Sequence, residues 1–398
     1  MHRALRPSFI AISLITAACG VPPGDSAETS SGEPVQVCAS HVFVGRVGAG
    51  QTCADHGAWT GVALGDVGLM AELCEYTWQG DQPADLASLP GAAEGVFGLV
   101  ESCPRVVPQA DPFSADPKLR ATIHNAFMTT VGKLSLAPFV PLVPRPWLTI
   151  VDTIPESVIA AGVRPNDRHG LDLRALAEGV LCDDPKHCPV SLTNTLGLPR
   201  VSPDAVDYVR GGAFGSPMDL ARGVSAAVDA WETHGDGARL VLALAVGWEP
   251  LGEYGPDLAG KSLGELLAPG GAATDVQAVL AALTRAACQD AWIVAAVGNA
   301  TSEPCAQSGA VGPAMLQALA SPSAAQCEAL GFPHAALTGA PTPFLLSAAH
   351  IGFDGQPLAN ARVDAPAGIT AQGATFGSLD GEGGVITGSS VATIVGAT

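Results

Sequence analysis

The chain has 398 residues, 47% of them hydrophobic and 14% charged, which is apolar material for one large core plus a small domain. Nineteen basic residues face 38 acidic ones, a formal charge of −19 that repels nucleic acid and anionic membranes. No block of like charges occurs, so the acidity reads as a solvated skin rather than a binding tail.

Residues 1–19 place Arg3 and Arg6 before an apolar stretch from Phe9 to Ile15 that ends in small residues and Cys19. This is an export signal, too short for a membrane span. Its ending, "ITAAC", resembles a bacterial lipoprotein signal, with Thr16 where leucine is usual. The resemblance implies lipidation of Cys19 and, with Gly20 following it, an outer-membrane or cell-surface address. Plain secretion after cleavage nearby is the alternative. Removing the leader leaves 17 basic residues against 38 acidic ones, or −21. Residues 20–35 read as a flexible tether.

Export makes disulfides the default for the nine remaining cysteines. No pair has the spacing of a zinc site and no HExxH occurs, so no metal or other cofactor is expected. One arrangement among several is Cys38–Cys53, Cys74–Cys103, Cys182–Cys188 and Cys288–Cys305, with one thiol left over.

Residues 36–106 hold four of these cysteines and the short apolar runs "VFVGRV" and "VFGLV", as expected of a small stapled domain. Residues 107–144 read as a linker, opening in the proline- and aspartate-rich "VVPQADPFSADP" (106–117) and containing a short helix over 120–132. From 145 onward the pattern changes. "WLTIV" (147–151) is a strand buried on both faces, ending at Asp152. A polar loop leads to a helix starting near His169, with Leu173, Leu176, Ala177 and Val180 on one face. Over 215–235 the sequence predicts a helix capped by Ser216, with Pro217 in its first turn, Asp219 completing a capping box and Gly235 at its end. "RLVLALAV" (239–246) is a second strand, followed by a long loop (248–272) and a helix bearing Val276, Val279, Leu280, Leu283 and Ala287. "AWIVAAV" (291–297) and "FLLSAA" (344–349) are two more strands. This alternation predicts an α/β fold: a mostly parallel sheet with helices on both faces, preceded by a small cysteine-containing domain.

In such a sheet, chemical groups gather beyond the carboxyl ends of the strands. Asp152 and Asn299 fall there. His169 sits at a loop-to-helix junction, and Ser390 follows a glycine turn at the head of an apolar segment able to start a helix. The order Asp, His, Ser is one on which acyl-transfer triads are built. "TIVDT", "RHGLDLRALAEGV", "IVAAVGN" and "TGSSVA" resemble the four signature blocks of subtilisin-like serine peptidases, in that family's order and over roughly 145–398. "RLVLALAVGW" resembles the strand that ends at the family's substrate-binding glycine, here Gly247.

The resemblance implies Ser390 as nucleophile, His169 as general base and acid, and Asp152 as the group that orients the imidazole. It implies an oxyanion hole from the Asn299 side chain and the Ser390 N–H. It also places Ala245 and Gly247, with Ala296 and Gly298, along the primary specificity pocket, where small residues leave room for a large apolar side chain. The sequence departs from the family at Ile154 (glycine expected), at Leu171 and Asp172 after the His–Gly pair, and at Thr393–Ile394, where a proline is expected. Sixteen residues separate Asp152 from His169, and eight follow Ser390. The short tail implies either a truncated C-terminus or a serine held less firmly than in the family.

The leading expectation is therefore an exported, lipid-anchored, monomeric serine endopeptidase acting on proteins or peptides, without nucleic-acid partners. A catalytically impaired pseudopeptidase that binds peptides or proteins is the alternative, and a surface structural protein that binds through 36–106 is a third reading. The 36–106 unit lies where the family carries a prodomain, so it is an intramolecular chaperone or inhibitor, or else a stable accessory domain. Asp183–Asp184 before Pro185 offers a calcium site, against which stands an ordinary solvated loop.

Overall fold

A computed structural model describes residues 41–108, 111–113, 146–153, 169–182, 188, 190–201, 213–250, 260–300, 309–335, 343–352, 354–358, 360–362, 364–376 and 385–398. The expectations for the leader, Cys19, the tether, the helix over 120–132 and Asp183–Asp184 lie outside these residues.

Strands β1 (Val42–Val47), β2 (Trp59–Ala63), β3 (Leu73–Trp78) and β4 (Val96–Glu101) form an antiparallel sheet in the order β2-β3-β1-β4. One face closes over Val47, Trp59, Tyr76 and Val96, with the Trp59 ring edge-on to Phe43 and Trp78. On the other, Val44, Met70 and Leu73 join the main core of the molecule. The disulfides correct the sequence expectation. Cys53 bonds Cys74, not Cys38, because the loop before β2 lies against β3. Cys288 bonds Cys327, not Cys305, while Cys182–Cys188 forms as expected. Cys103 is disulfide-bonded as well, but not to Cys74.

Two short strands, β5 (Val107–Pro108) and β6 (Asp111–Phe113), follow within what the sequence presents as a linker. Then come β7 (Trp147–Asp152), α1 (His169–Leu181), β8 (Ser191–Leu196), β9 (Arg200–Val201), β10 (Ala213–Phe214), α2 (Pro217–His234), β11 (Leu240–Leu244), β12 (Val246–Gly247), α3 (Leu263–Leu267), α4 (Thr274–Cys288) and β13 (Trp292–Ala296). The chain continues through α5 (Ala324–Ala329), β14 (Leu346–Ile351), β15 (Ile369–Gln372), β16 (Ala374–Phe376), β17 (Val385–Thr387) and α6 (Ser389–Ala397). Six of the strands make one sheet in the order β15-β14-β13-β11-β7-β8, and every neighbouring pair is parallel.

Alternation along the strands divides the core in two. Leu148, Ile150, Val241 and Ala243 pack against α1 and α6 through Leu173, Leu176, Val391 and Ile394. Val151, Leu240, Leu242 and Leu244 face α2 and α4 on the opposite side. The fold class is thus the expected α/β sheet with helices on both faces. Helix α2 starts as predicted: the Ser216 hydroxyl accepts from the Asp219 N–H (3.1 Å) while the Asp219 carboxylate accepts from the Ser216 N–H (2.7 Å).

Helix α4 is buried along its whole length, since the antiparallel N-terminal sheet covers the side that the parallel sheet leaves open. Its polar side chains find partners, although the Arg285 Nε has none among the described residues. Asp275 pairs with Arg105, Gln277 donates to the carbonyls of Leu266 and Ala268, Thr284 donates to the Leu280 carbonyl, and Arg285 pairs with Asp229 and Glu232.

Candidate active site

Asp152 ends β7 and is fully buried. Its Oδ1 accepts the Thr153 N–H at 2.7 Å, and both carboxylate oxygens lie 2.9 Å from His169 Nδ1. In a neutral ring whose Nδ1 donates to this carboxylate, Nε2 is the acceptor nitrogen. His169 is the first residue of α1 and is likewise buried. Two side chains fix the peptide groups next to it: Thr153 Oγ1 accepts the Gly170 N–H (3.1 Å), and Asn194 Nδ2 donates to the Gly170 carbonyl (2.9 Å). Asn194 comes from β8, the polar edge strand "SLTNTL", whose register sets Leu196 opposite Asp152.

Ser390 occupies the first turn of α6, where backbone donors have no acceptor within the helix. The turn before it needs glycine. Gly388 has φ +140° and ψ −177°, a conformation that side chains other than glycine's rarely allow, and its N–H donates to the Gly373 carbonyl (2.8 Å). The buried Ser390 hydroxyl donates to the Ala245 carbonyl at 2.8 Å. Its single proton is therefore committed to the residue that follows β11. Helices α1 and α6, which carry His169 and Ser390, pack directly on one another.

Asn299 lies just beyond β13. Its Oδ1 accepts from the Ser389 N–H (2.9 Å) and the Ser389 hydroxyl (3.2 Å), and Ser389 Oγ accepts the Gly298 N–H (3.0 Å). Ser389 thus ties the Asn299 loop to the turn bearing Ser390, with the amide NH2 end of Asn299 turned away from it. The arrangement suits an oxyanion donor, and it gives Ser389, which reads from sequence only as a neighbour, a positioning role.

The edge residues Val246–Gly247 already have a partner. Strand β5 pairs with them antiparallel, Pro108 opposite Val246 and Val107 opposite Gly247. On its other side Val106 exchanges two backbone hydrogen bonds with Gly215, at 2.8 and 3.0 Å. Residues 106–108 therefore form the middle strand between the loop ahead of α2 and the end of the β11–β12 segment. Arg105, the residue before them, forms the ion pair with the fully buried Asp275. Burial raises the Asp275 carboxyl above the usual carboxylate range, and the Arg105 charge opposes that shift.

Two of the residues expected from sequence along the specificity pocket, Gly247 and Gly298, lie against one side chain. Gly247 and Gly298 flank Val311, which is buried and donates its N–H to the Val297 carbonyl (2.9 Å). Behind it, the Arg362 guanidinium forms a two-pronged contact with the Glu249 carboxylate and donates to the carbonyls of Gly309 and Asn299. Val311 and Arg362 lie in segments without strand or helix periodicity, so no sequence signal marks them. Among the described residues no group of three or more His, Cys, Asp or Glu side chains could hold a metal, and no helix is long and apolar enough to cross a membrane.

Fold and site together define an α/β protein that carries an Asp–His pair, a helix-borne serine and an asparagine at the carboxyl ends of a parallel sheet. No protein-family model and no curated protein matches the chain. Among solved structures it is similar to MycP1 from the ESX-1 type VII secretion system, at 15% identity over 74% of this chain and 76% of that one, with a TM-score of 0.36. It is similar to MycP1 from Mycobacterium smegmatis at 16% identity over the same shares, TM-score 0.33. MycP1 with its N-terminal propeptide removed matches at 18% identity over 63% of this chain and 75% of that one, TM-score 0.29.

Proposed function

We propose that the chain is an exported serine endopeptidase, held latent by its own N-terminal region. The observation that carries this reading is the buried Asp152–His169 pair, at 2.9 Å, on a helix packed against the one that bears Ser390. Ser390 attacks the scissile carbonyl. His169 Nε2 takes the hydroxyl proton and returns it to the leaving amine, while Asp152 holds the tautomer and stabilises the imidazolium. The oxyanion that forms is met by the Asn299 amide and the Ser390 N–H.

Latency follows from where the substrate must lie. An extended peptide binds a protease by adding a strand to an exposed edge. Here residues 106–108 take that edge at Val246–Gly247, and the Ser390 proton rests on Ala245. The N-terminal sheet packs over α4, and the Arg105–Asp275 pair pins the junction. This favours an inhibitor for the 36–106 unit over a free accessory domain. The export signal, its lipid anchor on Cys19, a monomeric state and protein or peptide substrates complete the proposal.

The test is hydrolysis of an unfolded protein substrate by the full chain and by Arg105→Ala, with products identified by mass. The expected result is cleavage by Arg105→Ala, strongly reduced in the full chain and abolished when Ser390→Ala is added. Cleavage that survives Ser390→Ala, or a folded Arg105→Ala chain that cuts nothing, sinks the proposal. The second outcome favours the peptide-binding pseudopeptidase instead.

A further inference from the structure

The register of β5 locates the reacting residue of a bound peptide. A strand lying on Val246–Gly247 as Val107–Pro108 do places its next residue opposite Ala245. Ala245 supplies the carbonyl that holds the Ser390 hydroxyl, so that next residue carries the carbonyl Ser390 attacks. On the peptidase reading its side chain would enter between the 245–247 segment and the 296–298 segment, the walls without side chains at Gly247 and Gly298.

That space is filled. A Cβ placed on Gly247 would lie 2.5 Å from one Val311 methyl, and a Cβ on Gly298 would lie 2.5 Å from the other. Val311 therefore touches both glycines and bridges the gap between the walls. It cannot easily retreat: its N–H is bound to Val297, its carbonyl accepts from Met315, and it is 1% exposed. Arg362 backs the Gly298 side, its Cδ 2.8 Å from the same imagined Cβ. The guanidinium is spent on Glu249 and two backbone carbonyls, so it does not serve as a receptor for an acidic side chain. Small wall residues read from sequence as a roomy pocket, whereas the structure shows them accommodating a valine from elsewhere in the chain.

We infer that Val311 restricts cleavage to peptide bonds that follow glycine or alanine. The inference rests on the peptidase reading and names its substrate class. The test uses acyl-Val-Val-Pro-X p-nitroanilides with X as Gly, Ala, Leu or Phe, whose first three residues copy 106–108. They are assayed with the full chain and with Arg105→Ala, each with and without Val311→Gly, and rates are normalised to fluorophosphonate label at Ser390. Val311→Ala serves as a milder second variant. The expected result is preference for Gly and Ala, with Val311→Gly raising kcat/KM for Phe relative to Ala by roughly tenfold to two-hundredfold and Val311→Ala giving a smaller rise. Label at Ser390 with Leu or Phe preferred, or with a profile that neither Val311 variant changes, overturns the inference and leaves the peptidase reading intact. Absence of label at Ser390 in every folded form overturns the peptidase reading and the inference with it.

Discussion

The Asp152–His169 half of the site and the Val246–Gly247 half are built in opposite ways. The first is a closed set of short local bonds. Asp152 is fixed by Thr153, the imidazole by Asp152, and the two peptide groups flanking Gly170 by Thr153 and Asn194. The second is an edge whose partner comes from more than a hundred residues away, residues 106–108 anchored through Arg105. In the proposed reading the Asp152–His169 pair is thus in place, while the strand that would receive a substrate is occupied. The proposal therefore predicts that activity depends on the attachment of the N-terminal region more than on building the Asp152–His169 pair.

Several substitutions break or sharpen that contrast. The largest effect is expected from His169→Ala in the Arg105→Ala chain, a fall in kcat of about four to six orders of magnitude with KM little changed. Steady-state hydrolysis of the Ala p-nitroanilide measures it. Asn299→Ala in the same background should lower kcat by about two to three orders of magnitude, read in the same assay, because one oxyanion donor is lost. Arg105→Ala alone acts on the other half. Removing one partner of a buried pair typically costs about 3–5 kcal/mol, and here the cost falls on the docked N-terminal region. The rate of fluorophosphonate labelling should rise at least about tenfold over the unaltered chain. Equal rates in the two proteins would mean that residues 106–108 do not gate the site.

The smallest effect concerns pH. Burial raises the Asp275 carboxyl, so the folded chain binds this proton more tightly than the unfolded chain does. Its contribution to stability is full below the unfolded value of about 4 and is lost as pH rises through the raised folded value. Asp275→Asn should remove that slope, which urea unfolding at stepped pH between about 4 and neutrality would report as a flatter profile. An unchanged slope would mean that Asp275 does not couple folding to protons.

Much of the first half was legible in the sequence. Asp152 and Asn299 follow short apolar runs that read as buried strands, and the serine, aspartate and proline at the start of α2 are signals confined to a few residues. Strand β8 was not legible, because an edge strand need not be apolar and "SLTNTL" has no core pattern. The second half was largely invisible for a different reason. The pairing of β5 with β12, the Val311 wedge and the Arg362–Glu249 contact all join segments far apart in the chain. Spacing found the Cys182–Cys188 bond but not the longer ones, since it favours near neighbours and Cys288 bonds Cys327 across the α4–α5 packing.

The central claim is that Ser390 is a nucleophile activated by His169. The most direct measurement is mass-spectrometric mapping of a fluorophosphonate on the folded Arg105→Ala chain. The account predicts a single label on the peptide containing Ser390, absent when His169→Ala is added. A folded chain that takes no label, or takes it at another residue, would contradict the account.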